Sequence, residues 1–358
     1  MKPIGKHISA INSTQGLWLK GNGQMKAAAG RTDRSAVVLS GGEGRHLRRF
    51  VHQFLHQDLP KQYVAFIGTR SMLTHTYDRA ERLVQSDRIY TVLGHNHLRH
   101  DAVQKQVAFR APHTLLSEPM SKGTGPGLLL PLLHIQKNHP KSIVAVLPSD
   151  HFIREENLFL AYLEEAFEIV EKSPSKIVFL GAEPETPEPE YGYILPDFES
   201  KQPDSRIHSI LAFAEEPDLS MAAKLISFGA LWNTSIMVFH VETMIDLLRL
   251  SVPRLYRAFQ RISRALGTPY ETSTVEAVYE DLEPTDFCKD IIRLCDVYSK
   301  NQFSVMPMRN VFWSDWGCAI RIRSVLDRLN YLDRIACSPN VSGDFVARIA
   351  QPKLAVNL

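Results

Sequence analysis

Three glycines within four residues, Gly41, Gly42 and Gly44, follow the apolar run Val37-Val38-Leu39 and precede Arg45 and His46. Glycine has no Cβ and tolerates positive φ, so successive backbone N–H groups in such a loop can converge on one anion. With Arg45 and His46 beside it, the loop is a candidate phosphate cradle; an ordinary strand-end turn is the alternative. Two named phosphate motifs are excluded. The sixth position of the dinucleotide fingerprint falls on His46 or Leu47, and the Gly-Lys-Ser/Thr ending of the Walker loop is missing. A second position of chemical interest is Asp150, in Pro148-Ser149-Asp150-His151. A carboxylate at the carboxyl end of a central parallel strand lies where open α/β sheets bind ligands, although it could instead cap the helix expected after it.

Elements that would position these residues alternate along the chain. Apolar residues at Leu47, Phe50, Val51, Phe54 and Leu55 have helical spacing, and Leu59 to Gly68 reads as a proline-bounded strand carrying Lys61. A helix over 72–84, strands over 88–93 and 114–116, and a buried helix over 128–135 with Pro131 in its first turns come next. They are followed by a strand over 142–147, a long helix over 152–172 and a strand over 176–181. Alternating acid and proline over 183–190 suits a solvent-facing loop. Strands over 191–195, 206–214 and 231–239 are expected, with helices over 221–228, 241–250 and 253–265. A weaker region then leads to Trp313-Ser314-Asp315-Trp316-Gly317 and a last amphipathic helix over 319–331. Strands alternating with helices imply a mostly parallel sheet covered on both faces.

A composition of 44% hydrophobic and 22% charged residues is that of a globular protein. Residues 1–34 hold Lys2, Lys6, Lys20, Lys26, Arg31 and Arg34 against Asp33 alone, which leaves the remainder slightly acidic within a net charge of +2. A disordered basic tail over 1–34, a main domain over 35–335 and a C-terminal tail over 336–358 are expected. No general nucleic-acid surface is implied, and no stretch is apolar enough to span a membrane. Cys288, Cys295, Cys318 and Cys337 lack paired metal spacing, which suits reduced thiols in a cytoplasmic protein.

Taken together, eight short segments in order resemble the sugar-1-phosphate nucleotidyltransferases, most closely the mannose-1-phosphate guanylyltransferase type. They are Gly41-Gly42-Glu43-Gly44, Pro60-Lys61-Gln62-Tyr63, Glu118-Pro119 with Thr124 and Pro126, and Pro148-Ser149-Asp150-His151. Next come Pro187-Glu188 before Tyr191-Gly192-Tyr193-Ile194, Glu215 with Pro217, Trp232-Asn233, and Trp313-Ser314-Asp315 with Gly317. The resemblance implies a doubly wound, mostly parallel, Rossmann-like α/β sheet with a smaller sugar-facing lobe. It implies transfer of a nucleotidyl group from a nucleoside triphosphate, GTP foremost, to a sugar 1-phosphate, mannose 1-phosphate foremost, with release of pyrophosphate. Mg²⁺ would be held by Asp150 and Asp315, since the ion prefers carboxylate oxygens completed by water and phosphate. Lys61, Arg45 and His46 would act on the phosphates. The nucleotide pocket would draw on Leu39, Ser40, Gly41, Gly42, Gly44, Glu118, Pro119 and Thr124, and the sugar would meet Gly192, Glu215 and Asn233. Without the resemblance, Lys61 could be merely solvated, Asn233 a turn residue and Glu215 a surface charge. Tyr191 and Trp232 read as packing residues. Oligomeric state is not readable, and a homo-oligomer is compatible with the reading. Neither hexapeptide periodicity nor a metal-ligand cluster lies beyond the last matched segment.

Three departures from the family pattern stand out. His46 occupies the position of an arginine, Glu216 that of the lysine in Glu-Lys-Pro, and Lys122-Gly123-Thr124-Gly125-Pro126-Gly127 replaces Arg-Asn-Thr-Ala-Pro-Ala. A histidine offers no guanidinium fork, and a carboxylate beside an anionic substrate repels it. Two functions are compatible with this pattern: an enzyme, favoured by the retention of Asp150, Asp315 and Lys61, and a nucleotide or nucleotide-sugar binding regulatory subunit that has lost turnover.

Overall fold

Val37 faces one side of the central strand while Ala36 and Val38 face the other, and each side meets its own hydrophobic core. The computed structural model describes residues 33–55, 58–199, 204, 206–292 and 302–329. Most of the expected basic tail and the whole expected C-terminal tail lie outside the described residues.

Strand β1 (Arg34–Ser40) leads into helix α1 (Arg45–Leu55), and α2 (Met72–Glu81) precedes β2 (Ile89–Gly94). Helix α3 (Asp101–Val107), β3 (Leu115–Glu118), α4 (Thr124–Asn138) and β4 (Ile143–Pro148) come next. The two-residue β5 (Phe152–Ile153) stands before α5 (Glu156–Lys172) and β6 (Ile177–Ala182). Then come β7 (Tyr193–Asp197), β8 (His208–Ala214), α6 (Leu219–Ser227), β9 (Leu231–His240), α7 (Val241–Ser251), α8 (Pro253–Ala265) and α9 (Glu271–Glu280). A π-helical turn over Phe287–Ile292, β10 (Phe303–Met308), β11 (Trp313–Ser314) and α10 (Ala319–Arg328) complete the order.

Nine strands form one mixed sheet in the order β3-β2-β1-β4-β9-β6-β10-β8-β7. The run β3-β2-β1-β4 is parallel, as is the pair β6 and β10, but β9 lies antiparallel between β4 and β6. Burial of β1, β2 and β4 on both faces explains their largely apolar sequences. Side chains of α2, α5 and α10 pack in one core, and those of α4, α7, α8 and α9 in the other. β7 and β8, among the later strands expected to build the smaller sugar-facing lobe, continue this sheet.

Several local expectations are corrected. Arg34 belongs to β1 rather than to the tail: it is 1% exposed, and its guanidinium pairs with Glu164 while lying over the Phe167 ring. The strand expected over 59–68 is a loop with one 3₁₀ turn, Lys61–Tyr63. Its apolar residues do not pair in a ladder; Leu59, Tyr63, Val64 and Phe66 enter the core from a loop. The helix expected from Phe152 starts at Glu156, because Phe152 and Ile153 pair with β11. Helix α4 begins at Thr124, so Pro131 lies in its middle. In the region that read as weak, α9 and β10 are present, and Pro307 stands near the end of β10. Among the described residues no helix is long and apolar enough to cross a membrane.

Candidate active site

β1, β3 and β4 end at the same sheet edge, and the loops leaving those strand ends assemble the site. At the end of β1, the Gln62 amide donates to Ser40 O (3.0 Å) and Gly42 O (2.8 Å), and the Tyr63 hydroxyl donates to Ser40 O (3.0 Å). These bonds consume carbonyls on the underside of the glycine loop and fix its path. Gly44 turns the chain at φ +59 into α1. A Cβ on Gly41 would stand 2.6 Å from Glu118 Oε2, so a side chain there would displace the Glu118 carboxyl.

Glu118 is 6% exposed and accepts a hydrogen bond from the Tyr279 hydroxyl (3.0 Å). Burial pushes its pKa up to about 7, against the opposing effect of that bond.

Asp150 and Asp315 are brought together by the small antiparallel ribbon of β5 and β11. Ser314 pairs with Phe152, so one further step of the register sets Asp315 opposite His151, the neighbour of Asp150. Lys61 joins the two arms: its Nζ lies 2.9 Å from Asp150 Oδ2 and donates to Asp315 O (3.0 Å) and Trp316 O (3.2 Å). Burial disfavours the Asp150 anion, yet the Lys61 ammonium, together with lesser contributions from His151 and a backbone hydrogen bond, outweighs it and holds the carboxyl below its ordinary value. His151 is driven the other way, down to about 4, chiefly by burial, and is neutral near pH 7. Its Nε2 lies 3.8 Å from Asp150 Oδ1.

The Asp315 carboxylate accepts from the Tyr191 hydroxyl (3.0 Å) and the Gly317 N–H (2.9 Å) at Oδ1, and from Arg321 (3.3 Å) at Oδ2. Arg321 Nε also lies 3.1 Å from Oδ1, close enough for an ion pair though not aligned for a hydrogen bond. Tyr191, expected as a packing residue, does pack against Trp232 and Trp313, but its hydroxyl serves Asp315.

Gly192, Glu215 and Asn233 also converge. Asn233 N donates to Gly192 O (2.8 Å), Asn233 Nδ2 lies 3.4 Å from Glu215 Oε1, and a Cβ on Gly192 would stand 2.7 Å from the same oxygen. Asn233 lies in β9 and is buried, and burial raises the Glu215 pKa; neither is a solvated turn or surface group. Cys288 Sγ joins them 3.5 Å from Asn233 Nδ2.

Thr124 lies at the start of α4, but its hydroxyl donates to Asp286 Oδ2 (3.1 Å) and accepts from Phe287 N (2.7 Å). Glu216 is exposed and pairs both oxygens with Lys289 (3.2 Å). Arg45 and His46 open α1, and their side chains lie outside the described residues. Leu39 and Pro119 flank the edge at the ends of β1 and β3. Gln62, within a matched segment, and Cys288, read as a reduced thiol, were given no role in the site, and Tyr279 and Arg321 were not named. Of the last two only Arg321 carried a usable signal, as a cation one helical turn after Gly317.

Residues 35–321 match the sequence pattern of the family described as nucleotidyl transferase. The chain belongs to that family. Among relatives of this nucleotidyl transferase, the xanthan biosynthesis protein XanB of Xanthomonas campestris pv. campestris is 29% identical over 80% of this chain and 58% of its own. The mannose-1-phosphate guanylyltransferase of Salmonella montevideo is 26% identical over 82% of this chain and 60% of its own. The chain therefore spans about three fifths of the length of these curated relatives. A solved structure described as mannose-1-phosphate geranyltransferase from Thermus thermophilus superposes with a TM-score of 0.64 at 24% identity, covering 80% of this chain and 76% of that one. Another, described as mannose-6-phosphate isomerase from Helicobacter pylori, gives 0.60 at 20% identity, covering 79% and 99%. At those identities the structures establish the mixed α/β fold.

Proposed function

We propose that this nucleotidyl transferase joins a nucleoside triphosphate to a sugar 1-phosphate and releases pyrophosphate, with GTP and mannose 1-phosphate as the substrate pair. The observation that carries the reading is the Lys61 ammonium, set between the Asp150 carboxylate and the main chain of Asp315 next to a glycine-lined loop. Two anions must meet in such a transfer, so a fixed cation beside the reacting phosphates lowers the barrier. The base and sugar are favoured by the activity for which the Salmonella relative is named.

We assign a divalent cation, Mg²⁺, to Asp150 and Asp315. Among the described residues no group of three or more His, Cys, Asp or Glu has metal-holding geometry, so the ion would rely on two carboxylates completed by water and phosphate oxygens. The donor chemistry fits: both groups are oxygen ligands, and the neighbouring His151 is neutral and adds no positive charge. When bound, Mg²⁺ supplies charge neutralisation at the phosphates. In this reading Lys61 orients the triphosphate, the loop at Gly41 and Gly42 presents backbone N–H groups, and Glu215 with Asn233 receives the sugar hydroxyls.

The test is pyrophosphate release from GTP with mannose 1-phosphate and Mg²⁺, run beside Asp150→Asn and across a panel of triphosphates and sugar phosphates. Turnover that Asp150→Asn abolishes supports the proposal. A second reading, a nucleotide-binding regulatory subunit without turnover, draws on the engagement of Thr124 by Asp286 and Phe287. Magnesium-independent nucleotide binding with no turnover on any pair would favour it.

A further inference from the structure

We infer that Arg321 sets the divalent-cation affinity of this site, competing with the ion for the Asp315 carboxylate and tying that competition to the loop 187–190. The inference rests on the assignment of Asp150 and Asp315 as ligands. Arg321 projects from α10, with its side chain only 13% exposed. It lies over the Tyr191 ring at 4.7 Å, reaches both oxygens of Asp315, and pairs with Glu190 (2.7 Å) and Glu188 (3.5 Å). Gly317 makes room for this arrangement, since a Cβ there would collide with Arg321 Nη2 and with Asp315 Oδ2.

Charge decides the direction of the effect. Lys61 is paired with Asp150, while Arg321 is shared among Asp315, Glu188 and Glu190. An ion ligated by Asp315 must share that carboxylate with the guanidinium a few ångströms away, and like charges at that range oppose each other even near a protein surface. Occupation by the ion therefore weakens the hold of Arg321 on Asp315 and shifts it toward Glu188 and Glu190. Those two residues precede Tyr191 and Gly192, so the competition links the phosphate side of the site to the sugar side.

Mn²⁺ binding, read by electron paramagnetic resonance of the free ion, measures this without turnover. It would be run on the whole chain and on Arg321→Gln, Arg321→Lys and Asp150→Asn, each checked for a native circular dichroism spectrum and melting transition. Arg321→Gln should tighten Mn²⁺ binding about tenfold. Arg321→Lys, which keeps the charge, should stay near wild type. Unchanged or weaker binding in a folded Arg321→Gln, with binding still lost in Asp150→Asn, overturns this inference and leaves the ligand assignment standing. Binding that survives Asp150→Asn, or that is missing from wild type and Arg321→Gln alike, overturns the assignment and the inference together.

Discussion

Lys61 Nζ stands 2.9 Å from Asp150 Oδ2 although 89 residues separate them, and the same ammonium donates to the carbonyls of residues 315 and 316. Lys61→Met removes the cation and leaves Asp150 partly buried without its pair. Turnover should fall by two to three orders of magnitude, roughly 3–4 kcal/mol of transition-state stabilisation. Lys61→Arg keeps the charge but cannot place one point donor against two carbonyls and a carboxylate, so it should recover only part of the loss. Steady-state kinetics with saturating Mg²⁺ separates the two; equal activity in Lys61→Met and wild type would remove Lys61 from the chemistry.

Glu118 gives the fold a pH dependence of predictable sign. Its carboxyl titrates near 7 in the folded protein, chiefly from burial, against an ordinary value of 4.5. Below pH 4.5 both folded and unfolded chains hold the proton, and the group contributes nothing to the difference. Between 4.5 and 7 the folded chain retains a proton that the unfolded chain has lost, so stability declines as pH rises through that window. Above it the full penalty applies, on the order of 3 kcal/mol. Glu118→Gln carries no such penalty and should melt higher than wild type at pH 8 while matching it near pH 4.5. Parallel melting curves for the two proteins across pH would show that Glu118 is not held in this environment.

Much of this arrangement was legible in the sequence because it is local. The apolar runs of β1, β4 and β6 announce strands buried on both faces, and the motifs around Asp150 and Asp315 each place an acid just beyond a strand. The connection between those acids is not local: Trp313 and Ser314 pair with Ile153 and Phe152, a two-residue ladder too short to leave a period-2 pattern. The loop over 59–68 misled for a different reason, since its apolar run Tyr63-Val64-Ala65-Phe66-Ile67 looks like a strand while its side chains enter the core from a loop. The roles of Tyr279 and Arg321 depend on partners 161 and 6 residues away, Glu118 and Asp315, that only the packed fold supplies.

Glu216 offers a gain-of-function test. It is exposed, sits at φ +46 beside the proposed sugar contact Glu215, and pairs with the equally exposed Lys289. An exposed pair of this kind contributes little to stability, so Glu216→Lys should shift unfolding by no more than about 0.5 kcal/mol. It should also exchange an anion for a cation where the proposed sugar phosphate would enter. The expected result is a several-fold lower KM for the sugar phosphate with kcat nearly unchanged, an advantage that fades as salt is raised. A KM that does not move would place the phosphate elsewhere in the site.

Gly123 and Gly125, two of the departures in the loop before α4, are explained by the segment that crosses them. Gly125 N donates to Thr285 O (2.9 Å), Thr285 N donates to Lys122 O (2.9 Å), and Thr124 joins Asp286 and Phe287 through its hydroxyl. Gly123 is held at φ +94, and a Cβ there would fall on the Thr285 carbonyl. Gly123→Ala is therefore opposed by backbone conformation and by a fixed neighbouring chain, and should cost about 2–3 kcal/mol in urea unfolding. Thr285→Ala, which keeps both backbone bonds, should cost far less. Because the strain is local, amide exchange at Gly125 and Thr285 should accelerate in Gly123→Ala more than exchange in β1 or β4. Wild-type exchange at those two amides in a folded Gly123→Ala protein would mean that the crossing segment is not pinned to the loop, and that the glycines there serve something other than its passage.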